Sequence, residues 1–220
     1  MNIALIGYGK MGKAIEQIAI QHGHHIVLKI NSANVDQLDH LDNYTIDVAI
    51  EFTNPSSAKE NVLKCLKKQI PVVCGTTGWK EQVGSVELAT AQFNTAFLIA
   101  SNFSIGVNLF FELNSYLANL MNNYTDYAIQ IKETHHTAKK DAPSGTAISL
   151  AEQIIEQNEI KQHWHLGATN DDAIIPIEAL REDPAPGTHE ITYNSIIDDI
   201  SIKHTAHNRN GFALGAVLAA

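Results

Sequence analysis

Asn2-Ile3-Ala4-Leu5-Ile6-Gly7-Tyr8-Gly9-Lys10-Met11-Gly12 opens the chain with a short, mostly apolar run that ends on the spacing G-x-G-x-x-G. Residues 13–22 then place Ile15, Ile18, Ala19 and His22 at helical spacing, with Gly23 where a C-terminal cap belongs. A glycine triplet between a strand and a helix is the context of a dinucleotide-binding turn. The first glycine permits the tight turn, the second lets backbone approach a pyrophosphate, and the third allows close helix–strand packing. The amides of Gly7, Tyr8, Gly9, Lys10, Met11 and Gly12 then face an anion at a helix N-terminus. Three turn glycines without a ligand would look the same out of context, and it is the βα position that favours a nucleotide.

The rhythm continues outward from this turn. Residues 26–30, 47–52, 71–74 and 96–100 read as strands, and 13–22, 55–68 and 80–92 as helices. Asn54-Pro55 supplies an N-cap followed by proline at the first helical position. The strands are apolar without alternation, which predicts burial on both faces of a parallel sheet. The fold class expected is α/β, with an N-terminal Rossmann domain (a doubly wound parallel sheet) over 1–102. After Asn102 the pattern changes. Residues 105–121 form a long amphipathic helix, with Val107, Phe110, Phe111, Asn114, Leu117 and Leu120 toward one face. Tyr127, Ile129, Ile131 and Glu133 alternate with Ala128, Gln130, Lys132 and Thr134, the mark of a one-sided strand. A helix over 145–157 and strands over 174–180, 189–194 and 200–205 follow. This predicts a smaller α+β domain with an open mixed sheet over 103–211, and a C-terminal helix, 212–220, that rejoins the first domain. That helix stops without a cap or charged tail, which leads us to expect further residues beyond Ala220.

Composition narrows the functional classes. The 220 residues carry a formal net charge of -9. An acidic chain is a poor general partner for nucleic acid or anionic membrane, so any anion site has to be built locally. No apolar run approaches the ~20 residues that span a bilayer. The two cysteines, Cys65 and Cys74, fit two buried thiols in a reducing cytosol better than a disulfide scaffold or a zinc set. A cytoplasmic protein is expected.

Ligands of a doubly wound sheet bind at the carboxyl ends of its strands. Two more loops lie there, Gly75-Thr76-Thr77-Gly78 and Ala100-Ser101-Asn102-Phe103. Each alone would pass for an ordinary turn or helix cap, and with the first loop they outline one crevice. Asn31 ends the second strand, where an acidic residue usually bonds the ribose hydroxyls. Asparagine can still bond a ribose, but it does not repel a 2′-phosphate.

The stretch from Glu133 to Ala147, Glu-Thr-His-His-Thr-Ala-Lys-Lys-Asp-Ala-Pro-Ser-Gly-Thr-Ala, puts two histidines and two lysines in a loop of an acidic protein. Ser144 can cap the helix that follows, so the amides of Gly145 and Thr146 would face an anion. These groups suit a small polyanionic acid and supply a proton donor. On residue types alone the loop reads equally well as a solvated charge cluster. A metal is not expected, for want of a third ligand at suitable spacing.

This stretch resembles the signature of the dihydrodipicolinate reductase family, E-x-H-H-x-x-K-x-D-A-P-S-G-T-A. The similarity extends to the Gly7–Gly12 turn, Phe52-Thr53-Asn54-Pro55, Gly75–Gly78, Asn102–Asn108, Arg181 with Gly187 and His189, and Arg209–Ala216, in that order along nearly the whole chain. Two departures stand out: Asn31 in place of the acid, and an end that falls before the family's last helix and tail are complete. The resemblance implies a two-domain homotetramer that reduces a small cyclic dicarboxylate, 4-hydroxy-tetrahydrodipicolinate, to tetrahydrodipicolinate with NADH or NADPH, closing its domains to exclude water. It implies His135 as proton donor or acceptor and Lys139 as proton donor, with His136, Ser144, Gly145 and Thr146 binding substrate. Gly7–Gly12, Asn31, Gly75–Thr77 and Ala100–Phe103 would bind cofactor. A Rossmann dehydrogenase of a semialdehyde or sugar, or a non-enzymatic NAD(P) sensor, would share the first site without needing the His-His-x-x-Lys loop.

Overall fold

The structure, a computed structural model, describes residues 1–208 and 210–220. Arg209, part of the last stretch of family similarity, lies outside the described residues. The chain divides into two compact units, one of Met1–Ser104 with Asn210–Ala220 and the other of the residues between.

In the first unit β1 (Asn2–Ile6), β2 (His25–Ile30), β3 (Val48–Glu51), β4 (Val72–Cys74) and β5 (Phe97–Ile99) form a sheet in the order β2-β1-β3-β4-β5. All its pairings are parallel. Helices α1 (Lys10–Gln21), α2 (Pro55–Lys67) and α3 (Val83–Gln92) and the C-terminal helix Asn210–Ala219 cover it. Along β1, Ala4 and Ile6 enter one core, with Leu28, Val62 and Leu66, while Ile3 and Leu5 enter the other, with Ile15, Val48 and Ala216. Two-sided burial is why the strands show no alternation. α2 begins as expected, with the Asn54 side chain accepting from the Ser56 amide. α1 begins at Lys10, three residues earlier than its apolar spacing suggests, because Lys10, Met11 and Gly12 are already helical. The crossover from β2 to β3 contains 3-10 turns over Val35–Asn43, kinked at His40, in which Val35, Leu38 and Leu41 recur at the three-residue spacing of that helix, with Leu38 and Leu41 buried.

The close approaches are made by glycines. A Cβ on Gly215 would lie 1.6 Å from the Phe103 carbonyl oxygen, so the C-terminal helix packs onto that backbone only as glycine. Gly7 has φ +98°, and a Cβ there would lie 1.9 Å from the Phe52 carbonyl oxygen.

In the second unit α4 (Ile105–Met121) and α5 (Gly145–Gln157) pack on a mixed sheet of β6 (Ala128–His135), β7 (His163–Leu166), β8 (Ile174–Arg181), β9 (Gly187–Asn194) and β10 (Asp199–Ala206). The order is β10-β9-β6-β8-β7. β8 runs parallel to β6 and β7, whereas β9 runs antiparallel to β6 and β10. β7 was not expected, since it is four residues long, mostly exposed, and carries two histidines. The buried face of α4 carries Val107, Phe110, Asn114, Ala118 and Met121. Leu120, assigned to that face from its spacing, is exposed, because Ala118 and Met121 occupy the contact instead. The alternation on β6 turns Ile129, Ile131, Glu133 and His135 inward.

Candidate active site

In the first unit a cleft of about 600 Å3 lies at the carboxyl ends of β1, β2 and β3, where the strand order reverses and ligands of such sheets bind. Gly7, Tyr8, Gly9 and Asn31 line it, with Thr53 and Asn54 opposite. Gly9 caps α1 without a side-chain hydrogen bond, and no atom lies within 4 Å of where its Cβ would be. The amides of Gly7 and Tyr8 donate to the Ile30 carbonyl at 3.0 and 2.8 Å and are not free for an anion, so the phosphate contacts expected of this turn fall to the amides that open α1, which fits a dinucleotide pyrophosphate. Gly12 is buried, and a Cβ on it would lie 2.4 Å from the Gly7 carbonyl oxygen, so it serves packing. Met11 packs against the core, and Lys10 is exposed. The Tyr8 hydroxyl donates to Glu16, and Lys29 pairs with Glu16 at 2.5 Å.

Phe52 gathers the remaining loops. A Cβ on Gly75 would lie 2.1 Å from its ring, and the Phe103 ring lies 6.0 Å from it between centroids. Thr76 is buried and Thr77 exposed. Ala100 packs against the core, Ser101 is exposed, and Asn102 accepts from the Ser104 amide at 2.9 Å. Beneath Thr76 lies a fully buried carboxylate that was missed in the sequence. Glu51 Oε2 accepts from Thr76 Oγ1 at 2.7 Å and from Cys74 Sγ at 3.0 Å, and Thr53 Oγ1 donates to Oε1. Thr76 Oγ1 in turn accepts from the Thr53 amide at 2.8 Å. The signal was an acidic residue inside an apolar strand.

Asn31 adopts a specific posture. Its Oδ1 accepts from the Ala33 amide at 2.8 Å, so the acceptor end of the carboxamide is used within its own turn.

The second unit builds a site on Glu133, which is fully buried. Its carboxylate accepts from the Ser144 amide at 3.0 and 3.2 Å and from Arg181 Nη2 at 3.2 Å. His135 Nδ1 lies 3.5 Å from Oε2 and His189 Nε2 lies 3.6 Å from it. Ser144 Oγ bonds His189 Nε2 at 3.2 Å and accepts from the Ala147 amide at 3.2 Å, so Ser144 caps α5 and is itself buried. The Ser144 and Ala147 amides are satisfied in this way. Gly145 and Thr146 hold the first-turn amides, which have no acceptor one turn back in the helix. Arg181 also donates to the Lys139 carbonyl at 3.3 Å and to the Asp141 carbonyl. Lys139 Nζ pairs with Asp141 at 2.8 Å, and the Lys139 amide donates to the His136 carbonyl at 3.0 Å. His136 is half-buried.

Glu133, His135 and His189 bring ligand atoms within 4.8 Å of one another. The third ligand thought to be lacking thus arrives from β9. A metal still fits poorly, because Arg181 and the Ser144 amide already hold the carboxylate, and a cation there would meet the guanidinium's like charge.

Family models for the dihydrodipicolinate reductase N-terminus and C-terminus match residues 1–103 and 106–220. The chain belongs to this family. It is 50% identical over 220 residues to the 4-hydroxy-tetrahydrodipicolinate reductase of Christiangramia forsetii, covering 100% of this chain and 91% of the relative. The enzyme of that name from Rickettsia rickettsii is 38% identical over 226 residues, covering 100% and 92%. Among solved structures, dipicolinate-bound dihydrodipicolinate reductase from Paenisporosarcina sp. TG-14 has the same fold, with a TM-score of 0.76 at 24% identity over 99% of this chain and 92% of that one. The family's Rossmann-type domain implies a nicotinamide cofactor, and the cleft beside Gly7–Gly9 has the form for one.

Electrostatics separates the two titrating groups of the second site. Burial alone would raise the Glu133 carboxyl, but hydrogen bonds from His189 and Ser144 and the proximity of His135 hold it down at about 2. Burial pushes His135 down to about 4, helped by the charges of His189, Lys139 and Arg181 and opposed by Glu133. His135 is therefore a neutral imidazole at neutral pH. Its folded value lies below the ordinary 6.5, so the unfolded chain takes up this proton first as pH falls. The stabilisation is whole above about pH 6.5 and is lost toward pH 4. Between pH 7 and pH 5 the loss attributable to His135 should be roughly 2 kcal/mol, at 1.36 kcal/mol per pH unit below 6.5. Urea unfolding of wild type and His135→Gln at both pH values checks this. The variant should lose less stability on acidification, and an identical loss would show that His135 is not the group responsible.

Proposed function

We propose that this chain reduces 4-hydroxy-tetrahydrodipicolinate to tetrahydrodipicolinate, with loss of water, in lysine and diaminopimelate biosynthesis. One observation carries the reading: the family signature folds around the single carboxylate of Glu133, which holds the start of α5 through the Ser144 amide, reaches the Lys139 loop through Arg181, and has His135 3.5 Å away. That arrangement offers two features a small dicarboxylate requires, a helix N-terminus for a carboxylate and an ammonium for a proton. It is this loop that a dehydrogenase of sugars or semialdehydes would not need.

The amides of Gly145 and Thr146 hold one substrate carboxylate, with His136 beside them. The nicotinamide supplies hydride when bound at the Gly7–Gly12 turn, Gly75–Thr77 and Ala100–Phe103. Loss of the 4-hydroxyl together with a neighbouring ring proton, as water, leaves a conjugated C=C–C=N system, and hydride addition to the far carbon of its C=C leaves negative charge on the adjacent carbon and nitrogen. Lys139 Nζ delivers the proton that quenches it. His135, neutral in the free protein, orients the site and serves as its proton donor or acceptor, carrying a positive charge only while it holds the extra proton. The Lys139 ammonium also stabilises the developing charge electrostatically.

The cofactor preference follows from Asn31. Its carboxamide oxygen is engaged by Ala33, so the group left for the ribose is the NH2 donor, which suits a phosphate better than a carboxylate would. NADPH is therefore accepted at least as well as NADH. The assembly we infer is a homotetramer through the second unit. Support comes from apolar side chains left exposed there: Ile196 and Ile197 at the β9–β10 turn, Ile200 on β10, and Leu109, Leu113 and Tyr116 on α4. The buried free thiols Cys65 and Cys74 support a cytoplasmic setting.

Three outcomes are expected. With synthase-generated substrate and NAD(P)H absorbance as the readout, Lys139→Met should lower kcat by on the order of 10²–10⁴ and leave dinucleotide affinity unchanged. Near-normal turnover would remove Lys139 from the chemistry, and a wild type without turnover would sink the assignment. Asn31→Asp should still accept from Ala33 while facing a 2′-phosphate with a charge worth ~1–3 kcal/mol, shifting the NADPH-to-NADH ratio of kcat/KM roughly tenfold or more toward NADH. An unchanged ratio would mean that Asn31 does not set the choice. Light scattering at micromolar concentration should give four chains per particle, and a monomer would contradict the assembly.

A further inference from the structure

The role of the Glu133–Arg181 pair goes beyond charge compensation. Arg181 ends β8, and its guanidinium makes contacts of two kinds. One Nη reaches Glu133 at 3.2 Å. The same guanidinium donates to the backbone carbonyls of Lys139 and Asp141, the two residues whose side chains pair with each other at 2.8 Å. Arg181 therefore holds both backbone ends of the ion pair that carries the Lys139 ammonium. Glu133 holds the other half of the site, through the Ser144 amide at the start of α5. Neither side chain is among the groups assigned to touch substrate or cofactor.

We infer that Glu133 and Arg181 act together as the positioning unit of this site, fixing the proton donor Lys139 relative to the carboxylate-binding amides of α5. The inference rests on the reductase reading above and deepens it. The physical case is one of rigidity. Loop 136–144 joins a strand to a helix and carries exposed residues on either side of Lys139. An exposed lysine loop has many conformations, and proton transfer needs the ammonium within hydrogen-bond reach of the reacting carbon. A guanidinium presents a planar fork of donors, which can grip two carbonyls and a carboxylate at once. A lysine at the same place keeps the charge and loses the fork. Burial of Glu133 makes the grip strict, because a carboxylate cut off from water cannot exchange these partners for solvent.

The pair divides its labour in a way that kinetics can read. Arg181 holds the Lys139 loop, so Arg181→Lys should lower kcat at least tenfold. It should change the affinity for dipicolinate, a stable pyridine dicarboxylate probe, by less than about threefold. Glu133 holds both the α5 start and Arg181, so Glu133→Gln should weaken dipicolinate binding tenfold or more and lower kcat as well. NADPH affinity should be unchanged in both variants. Dipicolinate and NADPH binding are measured by calorimetry, kcat is expressed per folded chain after circular dichroism, and Glu133→Asp stands in should Glu133→Gln fail to fold. Glu133→Asp keeps the charge but withdraws it by one methylene, and should show the same double loss. A pair that merely stabilises the fold would lower the unfolding midpoint and leave kcat and dipicolinate affinity at wild-type values in the folded fraction. That result, in Arg181→Lys together with either Glu133 variant, would overturn the inference. A wild type that neither binds dipicolinate nor turns over would instead sink the reductase reading itself.

Discussion

Each of the two units is built around one carboxylate that has no access to water. An isolated buried charge costs several kcal/mol, so the chain must surround it with donors, and the segments that bring those donors are the ones that form the sites. In the first unit Glu51 ends β3 and draws in Thr53, Cys74 and Thr76, which fixes the loop after β4 against the loop after β3. All these donors are neutral. In the second unit Glu133 lies on β6 and draws in Arg181 from β8, His189 from β9 and the Ser144 amide at the start of α5. Here one partner is a cation. The difference suits the tasks proposed for the two sites: the first orders loops around a cofactor, and the second orders groups that handle a proton.

Phe52 imposes the complementary steric constraint on the first unit. Its carbonyl oxygen occupies the space beside Gly7, and its ring occupies the space beside Gly75 and approaches Phe103. Three loops at the carboxyl ends of β1, β4 and β5 therefore meet one residue at the end of β3. Two of them can come so close only because they present glycine. The glycines of the first turn thus do different work. Gly7 and Gly12 permit packing, and Gly9, with nothing where its Cβ would be, leaves room for a ligand.

What could be read from the sequence follows the range of the interactions. The strands of the first unit were legible because each is a short apolar run closed by a turn residue. α5 was legible because Ser144 caps it and its buried face recurs at helical spacing. β7 was not, because an exposed edge strand of four residues has no buried face to impose a pattern. Leu120 was misplaced because helical spacing alone does not say where a contact stripe ends on a seventeen-residue helix. The signature loop was legible as a string of residue types, and its resemblance to a family gave their roles. Its organisation was not, since the bonds that make it are formed between positions 11 and 48 residues apart. Glu133 was visible only as the first letter of the signature, although its place on the buried face of an alternating strand marked it as a charge in need of partners. For Glu51 the same signal, an acid within an apolar strand, was present and went unused.

The acidic character of the chain and the anionic nature of its proposed ligands are reconciled by locality. A formal charge of -9 sets the field at a distance, but salt screens that field within about 10 Å. Inside the second site the count differs. Glu133 is balanced by Arg181 and Asp141 by Lys139, and His135 is held neutral by burial and by the cations near it. The two buried or gripped anions cancel two cations, and the first-turn amides of α5 add a positive end that nothing within the helix offsets. A dicarboxylate entering this site meets a locally neutral set with a positive edge and an ammonium whose anionic partner, Asp141, is largely exposed and easily exchanged. The neutrality of His135 belongs to the same balance. A positive charge on His135, beside Arg181 and Lys139, would be costly in the free protein, so the charge that answers a developing carbanion comes from the lysine.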